Sequence, residues 1–198
     1  MGRRNASSRD GIMSILDKLN NAKVLSIDPS TKSIAFAVVL KEKINISLCA
    51  KGKINLDKLD DIQSKLKCIG SVIPELIEYH KPTHVVIEQT IYIQNPQTTR
   101  LLSYIVGHML GCALMHNVKV MDVGPLEWKR WLGYKSVSKV EINNWTKEFG
   151  EKEAKKIASF ERKNRVKNIL DSRISNLNES DYDIIDAIAI GLWAANNH

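Results

Sequence analysis

Long apolar runs are absent from this chain. No stretch of the sequence approaches the roughly 18 consecutive apolar residues that a membrane span requires, so no membrane partner is expected. Cysteine is scarce and scattered. Cys49, Cys68 and Cys112 form no CxxC pair, which argues against a zinc site and against a disulfide framework, and fits a reducing compartment. The basic, Ser-containing opening, residues 1–9, has no long apolar core, which excludes a secretory signal. It reads as the start of a disordered arm, residues 1–22, with a weak organelle-targeting sequence as the alternative. No internal repeat is visible.

Acidic residues are outnumbered, 22 to 29, leaving a net charge of +7 and a pI near 9.3. A surplus of that size points to a polyanionic partner, first of all nucleic acid. The surplus is local. Residues 129–167 hold twelve Lys/Arg against five Asp/Glu, a difference equal to the charge of the whole chain. Hydrophobic content of 43% and charged content of 26% are ordinary, and 198 residues suffice for one compact domain with its own core, placed at 23–198.

The patterning predicts strands at 23–28, 34–40, 44–54, 83–88 and 118–123, with Pro29-Ser30-Thr31-Lys32-Ser33 as the first turn. Of the helices predicted at 12–19, 56–79, 98–116, 126–132 and 182–196, the second rests on apolar residues in steps of three and four, the third is apolar around most of its circumference, the fourth is opened by Gly124-Pro125, and the last is rich in Ala and Ile. Pro74 is expected to kink or divide the second of these. Three antiparallel strands followed by strand–helix alternation predict an α/β fold, a five-stranded mixed sheet flanked by helices on both faces. Residues 134–160 read as a lysine-rich helical insertion before the last helix. Trp145 and Phe149 stand there at i,i+4 spacing, either packing a helical hairpin or backing a positive surface for DNA.

Four carboxylates stand at the punctuation marks of this pattern. Asp28 ends Val24-Leu25-Ser26-Ile27-Asp28, Glu88 ends His84-Val85-Val86-Ile87-Glu88, and Asp183 and Asp186 share Asp183-Ile184-Ile185-Asp186-Ala187-Ile188-Ala189. An acid beside Val and Ile is costly unless something cationic meets it. If the first and fourth strands are neighbours, Asp28 and Glu88 converge, and Asp183 and Asp186 share one face of the closing helix. Such a set forms a hard oxygen cage suited to Mg2+. Taken singly, the same residues read as an Asp-Pro turn and solvated or capping helix positions; Asp181 reads as an N-cap or first-turn charge.

Ser26-Ile27-Asp28-Pro29-Ser30-Thr31-Lys32, Val86-Ile87-Glu88-Gln89 and the Asp183–Ala189 segment resemble the three signatures of RuvC-type Holliday junction resolvases, of the ribonuclease H-like (retroviral integrase) superfamily. The resemblance spans roughly residues 23–194 and implies that Asp28, Glu88, Asp183 and Asp186 are catalytic metal ligands for Mg2+, two ions per site, with Mn2+ as a substitute. Exonucleases of the superfamily place Asp-x-Glu on the first strand, and type 1 ribonuclease H carries its Glu on the first helix, so both fit less well.

The resemblance also implies a lysine after the fifth strand in Pro-x-x-x-Lys, matched by Pro125-Leu126-Glu127-Trp128-Lys129. Lys129 would lie beside the acids against the scissile phosphate. Lys163, in Lys163-Asn164-Arg165-Val166, matches a second family lysine, and with Arg165 is a candidate DNA contact. Ile91 or Tyr92, just after Glu88-Gln89-Thr90, is the candidate for opening the junction centre. Gln89 either orients Glu88 or is structural. His84, His108 and His116 read as packing or surface residues, and Trp128 with Trp131 as packing for the short helix, with base stacking as the alternative. Gly107 and Gly111 leave room for close helix approach, and the family's homodimer forms through that helix.

The leading expectation is therefore a Mg2+-dependent crossover junction endodeoxyribonuclease acting on four-way junctions as a homodimer. Broader debranching of forks, flaps and Y-structures is the second reading, and a non-catalytic junction-binding protein the third. The insertion fits a phage or other viral member. The expected compartment is the cytoplasm, the host's in the viral case, with the mitochondrion as the alternative suggested by the basic arm.

Overall fold

The computed structural model of this chain describes residues 21–90, 95–175 and 177–197. The helix expected at 12–19 lies outside them. Five strands form one sheet: β1 (Asn21–Pro29), β2 (Ser33–Glu42), β3 (Asn45–Asn55), β4 (His84–Glu88) and β5 (Lys119–Val123), in the order β3-β2-β1-β4-β5. The first three are antiparallel neighbours, while β4 pairs parallel with both β1 and β5. The sheet is thus mixed, as the early hairpins and later strand–helix alternation require.

Alternation along β1 sorts the core into two layers. Leu25 and Ile27 face α1 (Ile62–His80) and α2 (Pro96–Leu114), packing with Ile69, Ile73, Ile77, Ile105 and Met109. Val24 faces the other side, in a cluster with Ala35, Ala37, Val86, Ile185 and Ala187 to Ile190. That second layer is built from α3 (Pro125–Leu132), α5 (Glu151–Arg173) and α6 (Tyr182–Asn197).

Two helical expectations change. Helix α1 starts at Ile62 rather than near residue 56, because Asp61 caps it by accepting the Ser64 N–H at 2.7 Å. Leu56 is buried in the preceding turn, its N–H donating to the Lys32 carbonyl at 2.7 Å. Pro74 does not divide α1, which runs on to His80 and ends with Lys81 in the left-handed region at φ 48°. The buried stripe of Ile69, Ile73 and Ile77 spans the proline and offsets the one backbone hydrogen bond it forgoes.

The insertion is a helical pair, α4 (Lys139–Phe149) and α5, the latter running beyond residue 160 to Arg173. A capping box joins Ser138 and Glu141 at the start of α4. The pair is held less by aromatics than expected: Trp145 is half-buried, and Phe149 is 50% exposed. Its clasp is Arg165, described below. Among the described residues no helix is long and apolar enough to cross a membrane.

Candidate active site

The β1–β4 register runs from Val24 opposite His84 to Ile27 opposite Ile87. One further step sets Asp28 abreast of Glu88, at the carboxyl ends of two parallel strands. This is where an open α/β sheet exposes its crevice. Both acids fall on the side of the sheet faced by Val24, Ser26 and Val86, and so by α6.

Helix α6 is brought onto that face by a close approach. The Ser26 hydroxyl donates to the Ala187 carbonyl at 2.7 Å, although both are buried. Gly191 permits the contact: a Cβ there would lie 2.7 Å from Ser26 Oγ and 2.8 Å from Val39 Cγ2. Asp181 starts the helix, accepting the Asp183 N–H at 2.9 Å and the Ile184 N–H at 3.4 Å, which is the capping role expected of it. Beyond Asp186 every residue from Ala187 to Ala195 is buried, so the two acids are the polar end of an otherwise apolar helix.

The electrostatics report convergence. Burial pushes the Asp28 carboxyl well above its ordinary range, and the charges of Glu88, Asp186 and Asp183 push it further, with a hydrogen bond to Glu88 adding to the shift. Burial also raises Asp186, to about 7; Lys129 opposes the rise, Glu88 and Asp183 reinforce it, and Lys163 opposes it again. Four acids and two lysines therefore share one field.

Yet the cage is not closed. Among the described residues no three His, Cys, Asp or Glu side chains are gathered tightly enough to hold a metal ion as they lie. Two of the acids are engaged elsewhere. Trp128, fully buried, donates its indole N–H to Glu88 Oε1 at 2.7 Å. Lys53, on β3, donates to Asp183 Oδ2 at 2.6 Å and to Asp181 at 2.9 Å. Neither partner was among the sequence candidates. Lys53 has a weak signal, the two-residue spacing with Lys51 that puts both on one face of a strand. Trp128 reads from the sequence as packing, with base stacking as the alternative, and nothing in its spacing reveals that its N–H meets Glu88.

The remaining candidates divide. Lys129 lies with its ammonium 4.7 Å from the Trp128 ring centroid, and Lys163 lies 5.6 Å from that of Tyr182; both are close enough to act on Asp186. Arg165 does not turn to the crevice. Its Nε donates to Glu161 at 2.9 Å, one terminal nitrogen donates to the carbonyls of Lys135 and Ser136, and the other to Glu141. A planar donor fork filled by four protein acceptors clamps α4 to α5. Gln89 donates to Asp122 at 3.0 Å rather than orienting Glu88. His84 is buried against the Thr83 hydroxyl, and His108 lies beside Cys112. Ile91 and Tyr92 fall outside the described residues.

Solved structures share this architecture. Thermus thermophilus RuvC in complex with Holliday junction substrate aligns at a TM-score of 0.63 and 18% identity, covering 89% of this chain and 94% of that one. Fowlpox virus resolvase, with substrate Holliday junction DNA, aligns at 0.53 and 19%, covering 88% and 97%. At such identities the likeness concerns the fold. Sequence relatives include the crossover junction endodeoxyribonuclease RuvC of Rickettsia akari (strain Hartford), 29% identical over 120 residues, which span 60% of this chain and 76% of that protein. The RuvC of Rickettsia bellii (strain OSU 85-389) is 30% identical over the same lengths. The family model for crossover junction endodeoxyribonuclease RuvC matches residues 24–193, a span that takes in all four acids and both lysines, and this chain therefore belongs to the RuvC family.

Proposed function

We propose that this chain resolves four-way DNA junctions as a Mg2+-dependent endonuclease, making paired symmetric nicks as a homodimer. The observation that carries the proposal is the gathering of four acids on one face of the sheet, where burial and the charges of Glu88 and Asp183 raise Asp28 and Asp186, with Lys129 and Lys163 beside them. A protein whose only task was to bind a polyanion would be weakened by four clustered acids, so the non-catalytic reading loses its rationale.

The four residues fit a hard divalent cation. All the donors are carboxylate oxygens, and the upward shifts of Asp28 and Asp186 are a strain that a cation relieves. These acids would hold Mg2+, two ions per site and replaceable by Mn2+, which would supply the positive charge that activates water and steadies the departing 3′ oxygen. The chain's own groups do the rest. Asp28 and Glu88 enter from adjacent strand ends, and Trp128 holds one oxygen of Glu88 so that its other oxygen keeps a set direction. Lys129 offers a cation to the scissile phosphate. Hydrolysis leaves a 5′-phosphate and a 3′-hydroxyl.

Pairing of the nicks needs two sites. Gly107 and Gly111 on α2 are exposed, and a Cβ at either would meet no atom within 4 Å. This small-residue face is therefore not used for packing against its own sheet. A second copy brought to it by a two-fold axis would present the same site twice.

The exposed, lysine-rich pair α4–α5 supports a second reading, a broader debranching nuclease, because phosphate contacts hold any DNA arm without reading its sequence. The experiment that decides is cleavage of a labelled mobile four-way junction, with forks, flaps and duplexes beside it, mapping nicks on every strand. Resolution predicts paired nicks on opposite strands that require Mg2+ and vanish in Asp28→Asn and Glu88→Gln. Cleavage surviving in those variants would sink the assignment of the acids; equal rates on forks and four-way junctions would leave the debranching reading.

A further inference from the structure

Lys53 sits two strands away from Asp28 but in the same row across the sheet. Asp28 pairs with Ala35 on β2, and Ala35 pairs with Lys53 on β3. Residues directly opposite one another share a face, so the Lys53 side chain stands on the side of α6 and the acids. Its ammonium donates to Asp183 Oδ2 at 2.6 Å, and to Asp181 Oδ2 and Oδ1 at 2.9 and 3.2 Å. Two residues earlier on the same face, Lys51 pairs with Glu179 at 2.8 Å and donates to the Leu177 carbonyl at 3.2 Å. Lys51 thus anchors the segment leading into α6. Lys53 does something different, because one of its partners belongs to the acid set.

We propose that Lys53 is a positioning residue acting through Asp183: in the metal-free protein it holds this carboxylate as an internal cation, and it surrenders it when a divalent ion is captured. The proposal rests on the reading of Asp183 as a metal ligand. Ammonium and metal then compete for one carboxylate, and the competition sets the threshold of metal concentration at which the site assembles. The open arrangement of the acids fits this. Asp183 is tied to Lys53, and among the described residues no three acids are gathered tightly enough to hold an ion.

Release is also physically easy. The Lys53 side chain is 31% exposed and borders a groove of about 320 Å³ lined with Lys32, Ser33, Asn55 and Asp57. The ammonium has room to withdraw, and Asp181 remains as its partner, so no charge is stranded. Asp181 meanwhile keeps its two α6 backbone N–H groups, so the helix start need not move.

Calorimetric titration of Mg2+ into the whole protein tests this, with wild type beside Lys53→Met, Lys53→Gln, Lys53→Arg and Asp28→Asn. Loss of one partly exposed ion pair predicts that Mg2+ binds Lys53→Met and Lys53→Gln roughly two- to fivefold more tightly than wild type, with Lys53→Arg close to wild type. A purely structural lysine predicts unchanged or weaker binding in both neutral variants, and that result overturns the proposal. Asp28→Asn separates the two failures. Binding that Asp28→Asn abolishes but that is equal in wild type and the neutral Lys53 variants removes the competition alone. Binding that Asp28→Asn leaves intact removes the metal-site reading, and the competition with it.

Discussion

Asp186 is held between opposing demands. Its place on α6 buries it, Lys129 and Lys163 only partly offset that burial, and the charges of Glu88 and Asp183 add to it, so its carboxyl is pushed up from the ordinary 3.8 to about 7. An acid whose folded-state value is raised binds more protons when folded than unfolded between those two values. Stability from this group is therefore fully present below about pH 4 and declines as the pH rises toward 7. In metal-free protein, Asp186→Asn is expected to raise the Tm above that of wild type at pH 8, by on the order of 2–4 kcal/mol in unfolding free energy. The gain should shrink toward zero near pH 4, and thermal melts across that range check it. Saturating Mg2+ should reverse the order, since only wild type keeps the ligand.

At the scale of the element, the site depends on how closely α6 lies on β1 and β2. Ser26, Val39 and Gly191 meet where a methyl group does not fit. Gly191→Ala is expected to destabilise the fold by about 1–3 kcal/mol through overpacking, despite the better helix propensity of alanine. It should also impair cleavage more than a comparable loss of stability elsewhere, because the shift lifts Asp183 and Asp186 from the strand ends. Urea unfolding with junction cleavage on the same variant tests both; wild-type stability would refute the close-packing argument. Element identities were legible in the sequence because β1 and β4 are short apolar runs bounded by turn residues, and apolar steps of three and four recur along α1. The start of α1 was not, because Leu56 continues the helical apolar spacing while Asp61 carries the cap.

At the scale of the whole molecule, charge and small residues are apportioned to different regions. The basic excess runs from Lys129 on α3 through α4 and α5, and Arg165 is spent joining the last two helices. The open glycines lie on α2, in the layer across the sheet from α6. Under the proposed function, the first region holds DNA arms and the second brings two copies together. Gly111→Glu is expected to keep its Tm, since a side chain there meets open space, and to convert a dimer to a monomer in sedimentation, because two carboxylates would face each other across the axis. A dimer that persists would move the interface away from α2.

The sequence by itself determined the mixed sheet, the order of its elements and the four acids, because each is written locally. An apolar run ending in a carboxylate needs no distant partner to be recognised. Tertiary structure alone decided what those acids touch. Trp128 is 40 residues from Glu88 and Lys53 is 130 residues from Asp183, separations at which no local period carries information. The same reason hid the pairing of Arg165 with Glu141 and Glu161: its charge is visible in the sequence, but the direction of its guanidinium follows from the packing of α4 against α5.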